Sequence, residues 1–301
     1  MRIVAALGGN ALLKRGETLS AAAQRETVAQ AAVQLASLVA AGHSLIVTHG
    51  NGPQVGLLAL QAEAGPPASA QPLDDLDAES EGWIGYALEQ ELANALPPGT
   101  EIATLLTRIE VKSDDPAFAA PSKPIGPVYN EETAKWLAAQ RGWQVAPDGQ
   151  FWRRVVASPA PVAVLNETSI IRLMEAGTLV ICAGGGGIPV LRDAAGKWRG
   201  AEAVIDKDAA SALLAARLHV DLFMMLTDVE AVYLDYGTSA QRPLRQARPE
   251  DLAGGQFAAG SMGPKVAAAC RFASETGRPA AIGRLQDAGA ILAGTAGTRI
   301  C

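Results

Sequence analysis

Cysteine is scarce in this chain: Cys182, Cys270 and Cys301 are the only three among 301 residues. Odd in number and far apart, they exclude a disulfide framework. There is no Cys-x-x-Cys pair and no histidine cluster to suggest a zinc site. Charged residues are few, at 19%, against 49% hydrophobic. That balance excludes a disordered chain and leaves ample material for a large core. Positive charge is not in excess: the formal net charge is −6. No basic field therefore draws nucleic acid or an anionic membrane, and neither is expected as a partner. An anionic ligand must be held by a few placed lysines, arginines and backbone amides. Residues 27–62 contain no Asp, Glu, Lys or Arg at all. They still do not make a membrane span, because Gln30, Gln34, Gly42, His43, His49, Asn51 and Pro53 interrupt the run. The first apolar run is broken in turn by Gly8, Gly9 and Asn10, unlike a signal peptide, so a cytoplasmic protein is expected.

What is present is an alternation of strands and helices. Residues 3–7 form an apolar run ending in glycines, as a buried strand does. Apolar spacing predicts helices over 25–41, 79–96, 169–176, 208–218 and 265–276. Strands are expected over 45–48, 101–107, 178–183, 222–226 and 279–282. Such alternation predicts an α/β fold with a mainly parallel sheet covered on both faces. The texture changes over 111–161, which is rich in Pro, Asp and Gly and holds Trp136, Trp143 and Trp152. These aromatics need burial, so this stretch reads as an inserted subdomain, with the tryptophans as its small core.

Three glycine-rich loops follow expected strands: Gly8-Gly9-Asn10, Gly50-Asn51-Gly52-Pro53 and Gly184-Gly185-Gly186-Gly187. Each alone is an ordinary tight turn. Three together point to a ligand site at the carboxyl ends of the strands, where backbone N–H groups approach an anion closely. The usual nucleotide signatures are missing. The four glycines lead into Ile188-Pro189 rather than a helix, and after Gly260 comes Ser261-Met262 where a P-loop needs Lys-Ser/Thr. Three lysines sit among residues that fix the backbone. Lys123 lies in Lys-Pro-Ile-Gly-Pro, Lys207 between Asp206 and Asp208, and Lys265 after Gly263-Pro264. Lys14, Lys112, Lys135 and Lys197 lack such framing and read as solvated. Fixed ammonium groups suit phosphoryl transfer, where catalysis is mostly positioning and charge stabilisation.

These segments resemble those of carbamate kinases, members of the amino-acid kinase superfamily. Gly-Gly-Asn at residues 8–10, Leu226-Thr227-Asp228-Val229 and Gly-Ser-Met with Pro264-Lys265 match the wider superfamily. His49-Gly50-Asn51-Gly52-Pro53-Gln54-Val55-Gly56 and Lys123-Pro124-Ile125-Gly126-Pro127 match carbamate kinases in particular. The resemblance runs nearly end to end. It implies an αβα sandwich with a mainly parallel open sheet in two lobes and a small protruding subdomain at about 111–156. Residues 1–197 would form the carbamate and carbamoyl phosphate lobe, and 198–301 the nucleotide lobe. It also implies a homodimer, Mg²⁺ carried on ATP or ADP with no ligand from the protein, and a setting in arginine metabolism.

Residue by residue, the resemblance implies that Gly8, Gly9 and Asn10 cradle the transferred phosphoryl group. Gly50, Asn51 and Gly52 would line the carbamate pocket. Lys123 would neutralise charge at the transferred group, Lys265 would act on the nucleotide side, Lys207 would contact phosphate, and Asp208 would orient the lysines. Thr227, Asp228, Tyr233, Ser261, Met262 and Pro264 would build the nucleotide pocket with Lys265. Two positions depart from the family pattern: Lys112 stands where an Asp is expected, and Asn166-Glu167-Thr168 varies a more acidic stretch. His49 could be a base, but carbamate is already anionic, so a structural role is expected. The alternatives are a kinase of the same fold with another carboxylate or phosphate acceptor, and a non-catalytic nucleotide sensor.

Overall fold

In a computed structural model describing residues 1–9, 20–65, 71–255, 257–258 and 260–301, the first strand, β1 (Arg2–Leu7), is buried at every position after Arg2. Asn10 and Lys14 lie outside the described residues. The chain continues through α1 (Ala21–Ala40), β2 (Ser44–His49), α2 (Gly52–Ala64), α3 (Leu73–Ala95), β3 (Ile102–Leu105) and β4 (Arg108–Glu110). Next come β5 (Lys123–Tyr129), α4 (Glu131–Arg141), β6 (Gln144–Asp148), β7 (Phe151–Val156) and β8 (Ala163–Val164). Then follow α5 (Glu167–Glu175), β9 (Leu179–Cys182), β10 (Ile188–Arg192), β11 (Trp198–Gly200), α6 (Lys207–Arg217) and β12 (Leu222–Thr227). The last elements are β13 (Val232–Leu234), β14 (Arg242–Leu244), β15 (Gln246–Ala247), α7 (Pro249–Leu252), α8 (Met262–Thr276), β16 (Ala280–Arg284), α9 (Ala288–Leu292) and β17 (Thr298–Ile300).

Eight strands form the central sheet in the order β15-β17-β16-β12-β1-β2-β9-β3. All neighbours are parallel except β16 and β17. Alternate residues feed two separate cores. Ile3, Ala5 and Leu7 pack with Leu35 of α1 and Ile84 and Leu88 of α3. Val4 and Ala6 pack on the other face with Leu214 of α6 and Phe272 of α8. Helices on both faces explain why these strands are apolar throughout rather than alternating. Among the described residues, no helix is long and apolar enough to cross a membrane.

The structure departs from the sequence expectations at prolines and caps. Helix α1 starts at Ala21, because Ser20 Oγ accepts from Ala23 N at 3.2 Å. Helix α8 starts at Met262 rather than 265, since Pro264 in the first turn gives up an N–H that needs no partner. Helix α2 is absent from the sequence expectations for the same reason: Gly52-Pro53 reads as loop but is a helix start. The inserted stretch is flanked by β4 and β8. Strands β5, β7 and β6 make an antiparallel sheet with α4 over residues 123–156, whereas β4 and β8 join β10 and β11 in another sheet. The tryptophans do not form one core. Trp143 is buried, but Trp136 is 61% exposed, because it falls on the solvent side of α4, where Ala134 and Leu137 turn inward.

Candidate active site

Strand β1 lies mid-sheet between β2 and β12; the chain passes from β1 to β2 on one side and from β12 to β16 on the other. Ligands of open α/β sheets bind beyond the carboxyl ends of strands at such a switch point. Gly8, just past β1, donates its N–H to Leu226 O of β12 at 2.7 Å. A Cβ at Gly8 would sit 3.1 Å from that carbonyl, so the loop closes tightly onto β12. Beyond β2, a Cβ on Gly50 would lie 3.7 Å from both Gly9 N and Lys207 Cδ. The first two glycine loops and Lys207 therefore converge. Gly52 opens α2, placing that helix's free N–H groups at the same end.

Two carboxylates at the start of α6 organise the lysines. Asp206 caps the helix, its Oδ1 accepting from Asp208 N at 3.0 Å and Ala209 N at 3.2 Å. Its other oxygen accepts from Lys123 Nζ at 2.9 Å. Burial pushes the Asp206 carboxyl up, but the Lys123 charge and these hydrogen bonds leave it below its ordinary value. Asp208 Oδ2 accepts from Lys265 Nζ at 2.9 Å. Asp208 Oδ1 lies 2.9 Å from Lys207 Nζ, an ion-pair contact outside hydrogen-bond geometry. Burial alone would raise Asp208; the two ammonium groups reverse that and hold it well below the usual carboxylate range. Burial brings the Lys207 ammonium down to about 8 against the pull of Asp208. Three cations thus meet one end of the sheet, and the buried Lys207 ammonium, though ion-paired with Asp208, makes no hydrogen bond among the described residues.

Behind them lies a layer whose functional residues the sequence reading passed over. Asn51 Nδ2 donates to Asp77 Oδ1 at 2.9 Å and to Ser80 Oγ at 2.8 Å, which fixes the amide beside Gly50 and Gly52. Glu81, one turn along α3, accepts from Thr107 N at 3.1 Å and Gly184 N at 2.8 Å. The spacing of Asp77, Ser80 and Glu81 was a readable signal, since acidic residues so close to Leu76, Ile84 and Leu88 fall toward the core side of a helix. The glycines at 184–187 leave no room for side chains: a Cβ would meet His49 Nε2 at 2.3 Å from Gly184, and Asn51 Nδ2 at 2.2 Å from Gly185. His49 is fully buried, and desolvation lowers it to about 4, so it is neutral near pH 7. That supports a structural role. Cys182 is buried at the end of β9 with its thiol pushed up by desolvation, which keeps it protonated.

Burial also raises Asp77 well above the ordinary range and Glu81 to about 8. An acid raised on folding adds stability that is complete below its unfolded value and is lost as pH rises through its folded value. For Glu81 the window runs from about 4.5 to about 8. Wild type is therefore expected to lose stability relative to Glu81→Gln across that window, by a few kcal/mol in all. Urea midpoints measured at intervals from pH 5 to 8.5 check this; two parallel curves would mean that Glu81 ionises normally.

On the β12 side, Thr227 ends the strand, and its hydroxyl donates to Asp228 Oδ1 at 3.0 Å. Thr227 Oγ1 is 3.6 Å from a Cβ placed on Gly8, so it belongs to the converging group. Ser261, Met262 and Pro264 lie at the start of α8, in the same turn that carries Lys265. Tyr233 makes its contacts elsewhere: its hydroxyl donates to Glu230 at 3.4 Å and its ring meets that of Tyr236. Of the two departures from the family pattern, Lys112 is exposed, and the 166–168 stretch makes contacts of its own. Asn166 Oδ1 accepts from Arg108 N at 3.1 Å, and Glu167 pairs with Arg217.

A model of the amino acid kinase family matches residues 1–284. A carbamate kinase of Haemophilus influenzae is 51% identical over 300 residues, spanning 100% of this chain and 96% of that relative. The chain belongs to the amino acid kinase family, among its carbamate kinases. The carbamate kinase of Pyrococcus furiosus is 46% identical over 310 residues, with 99% of this chain and 98% of the relative covered. The solved carbamate kinase of Giardia lamblia bound to AMP-PNP superposes with a TM-score of 0.89 at 39% identity, covering 99% of this chain and 98% of that one. A UMP kinase from Bacillus anthracis, at 14% identity and a TM-score of 0.55, shares the fold alone. Family membership makes the chain a phosphotransferase.

Proposed function

We propose that the chain transfers a phosphoryl group reversibly between ATP and carbamate, giving ADP and carbamoyl phosphate, and that it runs toward ATP. The observation that carries this reading is the triad of ammonium groups, Lys123, Lys207 and Lys265, tied by Asp206 and Asp208 beside Gly8, Gly9 and Gly50. In the ATP-forming direction, the carbamoyl O–P bond breaks as an ADP oxygen bonds to the same phosphorus. Both groups flanking the phosphorus are anionic oxygens, so no proton moves and no base is required. A neutral, buried His49 is compatible with that. Lys123 would meet the transferred group, Lys207 would contact phosphate, and Lys265 would balance charge on the nucleotide side, with Asp208 orienting the last two. Gly8, whose own N–H is held by Leu226 O, would set the turn that lets the backbone amides of Gly9 and of the sequence neighbour Asn10 cradle the phosphoryl oxygens. Gly50, Asn51 and Gly52 would line the carbamate pocket, while Thr227, Asp228, Ser261, Met262 and Pro264 would take the nucleotide. We assign Tyr233, whose hydroxyl pairs with Glu230, to the outer wall of that pocket.

Magnesium belongs with the nucleotide in this reading, where it supplies charge neutralisation on the phosphates. Among the described residues no cluster of three or more His, Cys, Asp and Glu is placed to hold a metal, and Asp208 is committed to lysines. A homodimer, a cytoplasmic location and a setting in arginine metabolism complete the proposal. The edge strand β3, with exposed Leu106 after it and exposed Tyr86 on α3 beside it, is the face we assign to the dimer.

Incubation with carbamoyl phosphate and Mg·ADP is expected to yield ATP in a luciferase readout. Lys265→Ala and an enzyme-free sample serve as controls. A folded, nucleotide-binding protein that forms no ATP would overturn the carbamate assignment. Turnover with acetylglutamate, aspartate or UMP would then identify another acceptor, and binding without any turnover would identify a sensor.

A further inference from the structure

Lys123 reaches the site from the inserted subdomain, so the seating of that subdomain decides where its ammonium lies. Helix α2 is the seat. Its first turn borders the carbamate pocket, and it runs about 16 Å from Gly52 to Glu63. Mid-helix, Val55 and Ala59 pack against Ile125 of β5 and Val156 of β7. A Cβ on Gly56 would collide with Gly126 Cα at 2.0 Å, so backbone meets backbone there. At the far end, the Glu63 carboxylate takes three donors from three parts of the subdomain. Arg141 Nη1 of α4 donates to Oε2 at 2.9 Å. Trp143 Nε1 and Arg154 Nη1 of β7 donate to Oε1 at 2.8 and 2.9 Å. Both guanidinium carbons lie 5.0 Å from the centroid of the Trp143 ring. Arg154 is paired with Ile125 in the β5–β7 register, two residues from Lys123.

We infer that Glu63 is a positioning residue for phosphoryl transfer, a latch on α2 that holds the subdomain where Lys123 meets Asp206 and the site. This rests on the function proposed above, in which Lys123 acts on the transferred group. Charge-assisted hydrogen bonds converging on one carboxylate are strong, and a displacement of about 1 Å at a reacting group costs about 100-fold in rate.

The test is steady-state kinetics of ATP formation combined with amide exchange across residues 123–129. Glu63→Ala is expected to lower kcat/KM for carbamoyl phosphate about 10- to 100-fold, through the misplacement described. ADP affinity stays within about twofold, and exchange in β5 becomes faster. Gly56→Ala, which wedges the same contact open, and Trp143→Phe, which removes one donor and keeps a ring, move in the same direction. Should Glu63→Ala fail to fold, those two variants carry the test. In the Lys123→Ala background, Glu63→Ala is expected to cost nothing further, since it acts only through Lys123. Unchanged kcat/KM in Glu63→Ala, or a loss that multiplies with that of Lys123→Ala, overturns the latch. If wild type forms no ATP, the proposed reaction has failed instead, and β5 exchange still judges the latch: equal exchange in wild type and Glu63→Ala overturns it.

Discussion

Replacing Lys123 with alanine is expected to lower kcat for ATP formation by about 100- to 1,000-fold, the usual loss when one placed charge-stabilising donor is removed. The affinity for ADP, measured by calorimetry, is expected to stay within a few-fold of wild type. The asymmetry follows from position. Lys123 arrives on β5 and bonds to Asp206, whereas Lys207 and Lys265 stand on α6 and α8 around Asp208. Nothing on β1 can replace it, because the residues before the glycine pair are Ala6 and Leu7, both fully buried. Lys123→Arg is expected to rescue poorly. A planar guanidinium is broader than the compact ammonium donor at 2.9 Å from Asp206 Oδ2. A kcat within threefold of wild type for Lys123→Ala would remove Lys123 from the chemistry and make its ion pair merely a subdomain contact.

The α/β alternation was legible because the central strands of this sheet are apolar on both faces and three of them, β1, β2 and β9, run into glycine-rich loops. The same property hid α2. Its first turn, Gly52-Pro53, carries two residues that suggest a loop unless the position is known to be a helix start. Lys123, Lys207, Lys265 and Asp208 were legible through rigid local sequence and family resemblance. Their partner Asp206 stood in plain view as a helix cap, but a cap and a lysine acceptor need different oxygens of one carboxylate, and no linear pattern shows that both are used. Asp77 and Glu81 share the core side of α3 with Ile84 and Leu88, which their spacing does show, but their partners Asn51, Thr107 and Gly184 come from three other parts of the chain that no linear pattern joins. The four glycines suggested an anion site by composition. Their actual neighbours, the side chains of His49 and Asn51, come from a distant strand end.

Asp208 is the residue whose loss should reach furthest, because among the described residues it is the only carboxylate in contact with both Lys207 and Lys265. Asp208→Asn leaves two nearly buried ammonium groups without their counter-charge, which is expected to cost ~3–5 kcal/mol of stability near pH 7. It is also expected to lower kcat by about 1,000-fold or more, a loss that will not equal the product of the separate lysine losses, since the three groups act together. The pH dependence identifies the cause. In wild type, Lys207 loses its charge as pH rises through about 8, so kcat/KM should fall on the alkaline side of that value. Without Asp208 the main offset to burial at Lys207 is gone and only the more modest pull of Asp206 remains, so the variant's alkaline limb should lie at lower pH. Stability should move oppositely. A lysine depressed on folding binds fewer protons folded than unfolded, so the folded state gains as pH rises from the folded value toward 10.5. In the variant that gain begins earlier. Part of the deficit seen at pH 7 should therefore be recovered by pH 9, whereas activity is not. An alkaline limb left in place by Asp208→Asn would show that it does not belong to Lys207.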